Sequence, residues 1–149
     1  MNNFQDFHIT VKGLIFWRNE ILLTKSADPD FFGALECPGG RVDFDETIEE
    51  ALFRELKEEL SVNISDYSPV IGLFDVNQRG SAEYDPVDGN QILEIYYKIE
   101  IEDDLDFSFT LSDEASGFVW LTKNDDLNAF KYHIQSRKKI YFKAQSTLL

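Results

Sequence analysis

Cysteine is almost missing from this chain. Cys37 stands alone among 149 residues, so no internal disulfide can form, and a reducing cytoplasm is the expected compartment. Long apolar runs are missing too, and none approaches the roughly 20 residues that a membrane-spanning helix needs. Residues 1–7 hold no basic stretch followed by an apolar run, so no signal peptide is expected. Positive charge is scarce: 14 Lys and Arg face 28 Asp and Glu, for a net charge of −14. That balance argues against general nucleic-acid binding, because such proteins turn a basic face to phosphates. With four Pro and no low-complexity stretch to divide it, the sequence reads as one domain, 1–149, long enough for a real core.

What the chain does have is concentrated acid. Over residues 40–62 the carboxylates Glu46, Glu55, Glu58 and Glu59 run from a glycine-led loop into a helix. Thr47 with Glu50 three residues on fits a capping box, so the helix is expected to start at Thr47. Ile48 to Leu60 contains no Gly or Pro and is rich in Ala, Leu, Glu, Lys and Arg, all good helix formers. At about 100° per residue, Ile48, Ala51, Leu52 and Leu56 make one apolar stripe. Glu55 and Glu59 fall inside that stripe, about 20° either side of Ile48, and Glu58 flanks it beside Ala51. Phe53 and Lys57 point away. A solvated helix would keep its glutamates opposite its apolar face. Glutamate is seldom buried without a partner, and carboxylates this crowded repel one another unless a multivalent cation sits among them. The spacing suits a metal site.

This segment resembles the signature of the Nudix hydrolase family, G-x5-E-x7-R-E-[apolar]-x-E-E-x-G-[apolar]. Gly40, Glu46, Arg54, Glu55, Leu56, Glu58, Glu59 and Val62 match it across 23 of 149 residues. Ser61 departs, standing where the family usually has glycine. A left-handed residue is common just past a helix, so Ser61 is expected to end the helix by another geometry or to accept strain. Leu35-Glu36-Cys37-Pro38-Gly39-Gly40 also resembles the family's approach to this segment.

The resemblance implies an α/β fold, an α/β/α sandwich around a mixed β-sheet. It implies that Glu55, Glu58 and Glu59 hold Mg²⁺ or Mn²⁺, joined by the Gly39 carbonyl, that Arg54 orients them, and that Glu46 supports loop and helix. The reaction implied is attack of water on a phosphorus atom of a diphosphate linkage, a carboxylate taking the proton. Glu55, Glu59 and Glu114 are the candidate bases. Glu114 lies six residues before Trp120, and several family members carry a loop glutamate at a similar distance before a tryptophan-bearing strand, as metal ligand or base. Asp113 is its alternative.

A small phosphorylated substrate, expected to be a nucleotide, arrives with its own divalent counter-charge and so tolerates an acidic protein. A nucleoside triphosphate or a nucleotide sugar is the expected class. Phe31, Phe32, Arg79 and Tyr84 fall in predicted loops, where a ring can stack on a base and a guanidinium can clasp a phosphate. Neither nucleic acid nor membrane is an expected partner, and a homodimer stays open. Two other readings share the fold. One is a non-catalytic nucleotide-sensing domain; the other is a prenyl diphosphate isomerase, which needs a reactive cysteine. Only Cys37 is available, and beside Pro38 it reads as a small packed side chain.

Along the chain, residues 8–17, 20–25, 70–76, 91–101 and 118–121 read as strands. Residues 77–90 read as a long loop, and Thr122 or Asn124 caps a helix running to about 133. Lys131, Arg137, Lys138, Lys139 and Lys143 are expected on the solvated face of a terminal helix. His8 and His133 are expected to be structural.

Overall fold

The computed structural model describes residues 7–79 and 91–149, with Arg79 by its backbone alone. Tyr84 and all but the first residues of the expected 77–90 loop lie outside the described residues. The strand β1 (Phe7–Trp17) carries the buried run Val11 to Phe16 and sits at the centre of a mixed sheet. It turns back through Arg18-Asn19 into β2 (Glu20–Ser26). Both turn residues have positive φ, 51° and 60°, as a two-residue hairpin of matching twist demands. Arginine is a poor fit to that backbone, and Asp103 holds it: the Arg18 N–H donates to Asp103 Oδ1 and Arg18 Nε to the Asp103 carbonyl, each at 3.0 Å.

On its other side β1 runs parallel to β6 (Gln91–Glu100), from Phe7↔Gln91 to Phe16↔Glu100. The strand β5 (Val70–Arg79) closes that edge antiparallel to β6, and β7 (Ala115–Leu121) closes the opposite edge on β2. Between β1 and β2 the sheet forks. The two stay paired from Trp17↔Glu20 to Ile15↔Leu22. Beyond that point β2 takes β3 (Leu35–Glu36) as partner through Thr24 and Lys25, while β1 takes β4 (Gly39–Arg41) through Thr10, Val11 and Lys12. Cys37 and Pro38 join the two prongs, and the Gly13 N–H donates to the Pro38 carbonyl at 2.8 Å.

Helix α1 (Ile48–Leu60) covers one face of the sheet. Thr47 Oγ1 accepts the Glu50 N–H at 3.1 Å, the cap the sequence predicts. Ala51, Leu52, Leu56 and Leu60 pack on Val11, Ile15, Leu22 and Ile99, and burial of each leucine is worth about 1.5–3 kcal/mol. Helix α2 (Ser136–Gln145) covers the other face, where Ile140, Tyr141 and Ala144 meet Leu14, Phe16, Ile21 and Leu23. The result is the expected α/β/α layering. Among the described residues no helix is long and apolar enough to cross a membrane.

Three local expectations fail. No α-helix fills 122–133: the Thr122 N–H donates to Asp125 Oδ2 at 2.7 Å, making a turn, and a short 3₁₀ turn follows at Leu127–Ala129 under an Asp126 cap. Arg137 on α2 is buried, not solvated, because Nε and Nη2 grip Glu94 Oε2 at 3.0 and 2.7 Å. Phe53 does not face away either; it is half-buried against the α1-side core. Ser61 takes the strained option, left-handed at φ 55° and ψ 33°, with its N–H on the Lys57 carbonyl. An L-residue pays about 1–2 kcal/mol for that conformation. Ser61→Gly is therefore expected to stabilise the protein and raise the melting temperature by about 2–4 °C; thermal unfolding followed by circular dichroism checks this, and an unchanged or lower midpoint contradicts it.

Candidate functional site

Arg54 is the hub around which the α1 carboxylates are arranged. Its Nε and Nη2 donate to the two oxygens of Glu46 at 2.7 and 2.9 Å. Nη1 donates to Glu55 Oε1 at 2.8 Å and lies 3.3 Å from Glu58 Oε2. Nη2 also reaches the Arg41 carbonyl at 2.9 Å. One guanidinium thus ties the β4–α1 loop to three of the four glutamates. Glu46 closes the loop on itself by accepting the Asp43 N–H at 2.9 Å. Its bonds to Arg54 and to that N–H hold the Glu46 carboxyl down at about 2.

The two carboxylates inside the apolar stripe behave differently. Burial raises Glu55, with Arg54 opposing. Burial pushes Glu59 up to about 7, although the Gly39 N–H, donated to Oε2 at 2.9 Å, and the charge of Lys12 pull it down. Glu55 and Glu114 push Glu59 in the same direction as burial. Glu58 is exposed.

Backbone geometry sets these side chains close to β4. A Cβ on Gly40 would lie 2.5 Å from the Glu55 carboxyl carbon, so a side chain there would push that carboxylate from its place. Gly39 has φ 150°, and a Cβ there would strike the Val11 carbonyl at 2.0 Å. The neighbouring Arg41 guanidinium contacts His8 Nδ1.

Glu114 is brought to the same place from another element. The Thr110 and Ser112 N–H groups donate to the Leu60 and Glu59 carbonyls, each at 2.9 Å, and the Ala27 N–H takes the Glu114 carbonyl at 3.0 Å. These straps satisfy carbonyls at the end of α1 and set Glu114 beside Glu59. Both line a cleft of about 110 Å³ with Gly39, Lys12, Glu36 and Cys37. Asp113 does not line it.

The expected substrate residues are not gathered there. Phe32 is exposed and its carbonyl accepts Lys131 Nζ at 3.1 Å, outside the cleft lining. Phe31 stacks on His133 with ring centroids 3.6 Å apart. Arg79 lies in β5 and its side chain, like Tyr84, is outside the described residues. Sequence reasoning overlooked Lys12 and Glu94. Lys12 is buried in the alternation of β1, and Glu94 is paired to a residue 43 positions away; neither carries a local signal. Burial pushes the Cys37 thiol up to about 12.

The donor set fits a hard divalent cation, since it consists of carboxylate and carbonyl oxygens, and the raised Glu55 and Glu59 are the groups whose charge such an ion would relieve. Among the described residues no three His, Cys, Asp or Glu side chains close on one point; Glu55 turns to Arg54 and Glu59 to the Gly39 N–H.

A sequence profile of the NUDIX domain matches residues 6–143. An ADP-ribose pyrophosphatase of Methanocaldococcus jannaschii is 38% identical over 71 residues, 48% of this chain and 41% of that protein. An 8-oxo-dGTP diphosphatase of Escherichia coli K12 is 41% identical over 51 residues, 34% of this chain and 40% of that protein. The matches thus span about two fifths of the length of these relatives. The solution structure of the E. coli ORF135 protein superposes with a TM-score of 0.70 at 23% identity, covering 96% of this chain and 93% of that one.

The raised Glu59 makes a prediction for the metal-free protein. Its carboxyl binds a proton in the folded state up to about pH 7, but in the unfolded chain only to about 4.5. Folding is thereby favoured at low pH, and that stability is lost as pH rises from 4.5 through 7. In EDTA, Glu59→Gln is expected to be more stable than the parent at pH 8 by on the order of 1–3 kcal/mol, and to lose that advantage near pH 5. Urea unfolding at the two pH values measures it; equal stabilities at pH 8 contradict it.

Proposed function

This chain belongs to the Nudix family, and from that premise we propose that it is a metal-dependent hydrolase cleaving the diphosphate linkage of a nucleoside diphosphate joined to another moiety. The observation that carries the reading is Glu59 facing Glu114 in one cleft, on the same helix as Glu55 and Glu58, which Arg54 braces. Glu55, Glu58 and Glu59, with the Gly39 carbonyl, are the groups that would hold Mg²⁺ or Mn²⁺. The ion, when bound, supplies charge against phosphate oxygens and acidifies water.

The protein's own groups do the rest. Arg54 and Glu46 fix the approach of the loop to the helix, so the carboxylates keep their spacing when one of them moves. A carboxylate at the cleft takes the proton from the attacking water. Glu114 suits that role best, because it comes from outside the helix and has no carboxylate–arginine bond to break. Glu55 and Glu59 are the alternatives. An ADP-ribose pyrophosphatase and an 8-oxo-dGTP diphosphatase among the relatives support a nucleotide sugar or a nucleoside triphosphate as substrate. A fully buried thiol held near 12 lends no support to prenyl diphosphate isomerisation.

Incubation with Mg²⁺ and a panel of nucleoside triphosphates, dinucleotides and nucleotide sugars is expected to release a nucleoside monophosphate. Tight binding without turnover would instead favour a sensor, and a rearranged prenyl diphosphate with no phosphate cleavage would favour the isomerase. Glu58→Gln and Glu59→Gln are each expected to lower turnover by orders of magnitude while the fold survives; retained activity in both removes the site assignment.

Glu114→Gln separates base from ligand. It is expected to lower kcat by about 10²–10⁴-fold with the dissociation constant for Mn²⁺ within about threefold of the parent. A matching loss of Mn²⁺ affinity makes Glu114 a ligand and returns the base to α1.

A further inference from the structure

Lys12 is the side chain in the cleft for which the arrangement described so far has no use. It is 9% exposed, on the α2-side face of β1, opposite in the alternation to Val11 and Ile15 of the α1-side core. Its stem crosses to the cleft over Gly39: a Cβ at Gly39 would fall 2.9 Å from Lys12 Cδ. The residue stands where β1 has left β2 for β4, and it lines the same cleft as Glu59 and Glu114.

Three of the carboxylates near it are held by other donors. Glu55 holds Arg54, Glu59 holds the Gly39 N–H, and Glu94 holds Arg137, Asn77 and the Tyr96 hydroxyl. Among the described residues the Lys12 ammonium makes no hydrogen bond or ion pair. An ammonium carries three donors and no acceptor, so an anion entering the cleft meets a donor group that no carboxylate already holds. Lys12 is also the one cation that lines the cleft among the described residues; Glu36, Glu59 and Glu114 line it with the opposite charge.

We infer that Lys12 Nζ binds a phosphate oxygen of the substrate, drawing one phosphoryl group of a diphosphate into the fork between Lys12 and the glutamates. At about 110 Å³ the cleft has room for a phosphoryl group, so Lys12 recognises the diphosphate rather than the nucleoside attached to it. This rests on the proposed diphosphate hydrolysis and adds the group that recognises the anion.

The test is calorimetric titration of the full chain, in Ca²⁺ to suppress turnover, with inorganic pyrophosphate and with α,β-methylene-ADP, alongside Mn²⁺ titration without phosphate. Lys12→Met is expected to weaken both phosphate probes by about ten- to a hundredfold, to raise KM more than it lowers kcat, and to leave Mn²⁺ affinity equal or tighter, since a cation has been taken from beside Glu59. Lys12→Arg is expected to recover part of the loss, and Lys12→Gln repeats the loss if the methionine variant folds poorly. Unchanged pyrophosphate affinity in Lys12→Met or Lys12→Gln overturns the inference, and so does a joint loss of Mn²⁺ and pyrophosphate binding, which marks a structural role. Failure of the parent protein itself to bind either probe overturns the diphosphate reading instead.

Discussion

Three glutamates on little more than one turn of helix, with a fourth in the loop before it, repel one another, and the guanidinium of Arg54 is what makes that arrangement tolerable. It spends its donors on Glu46, Glu55, Glu58 and a backbone carbonyl. The geometry is planar and bidentate toward Glu46, which a lysine could not reproduce. The remaining carboxylate, Glu59, lies out of its reach and depends on a single backbone N–H. Loop and helix together therefore carry a graded set: Glu46 firmly ionised, Glu58 in solvent, Glu55 and Glu59 held back by burial. Gradation of this kind separates the groups that brace the site from those with charge in reserve for a ligand.

The fork in the sheet gives the site its second side. In an unbroken sheet, residues on opposite faces do not share a cavity. Here β1 and β2 part after Ile15 and Leu22, and the Cys37-Pro38 link spans the gap. Glu59 comes from the α1 layer and Lys12 from the face that α2 covers, yet they line one cleft. The buried Glu94–Arg137 pair stands next to this opening and is fully hydrogen-bonded with Asn77 and Tyr96. Burial works against the Glu94 charge, and Arg137 more than offsets it, holding that carboxyl below its ordinary range.

The parts of this molecule legible in the sequence are the parts whose cause is local. The α1 cap, its apolar stripe and its misplaced glutamates follow from spacing within 13 residues, and the structure reproduces them. The long strands follow from alternation. Thr122 and Asn124 misled because a side chain that caps a helix makes the same hydrogen bond in a turn, as Thr122 Oγ1 does with the Asn124 N–H, and nothing nearby says which. The strands β3 and β4 span two and three residues, too short for any pattern. Arg137 reads as a surface cation, and Lys12 draws no notice, because their surroundings are assembled from distant segments. The position of Glu114 beside Glu59 depends likewise on straps from Thr110 and Ser112 to the end of α1, although its distance from Trp120 pointed the right way.

The parallel pairing of β1 with β6 has a bearing on how the chain acquires its shape. These strands are more than 80 residues apart in sequence, and a contact of that span closes its loop at an entropic cost that local contacts do not repay in advance. The β1–β2 hairpin and α1 can assemble early, but the seam at the middle of the sheet waits for residues 91–100. Until then the inner edge of β1 offers bare N–H and C=O groups to any passing strand, which makes the early assembly interval, and not the finished molecule, the moment of greatest exposure to misassociation.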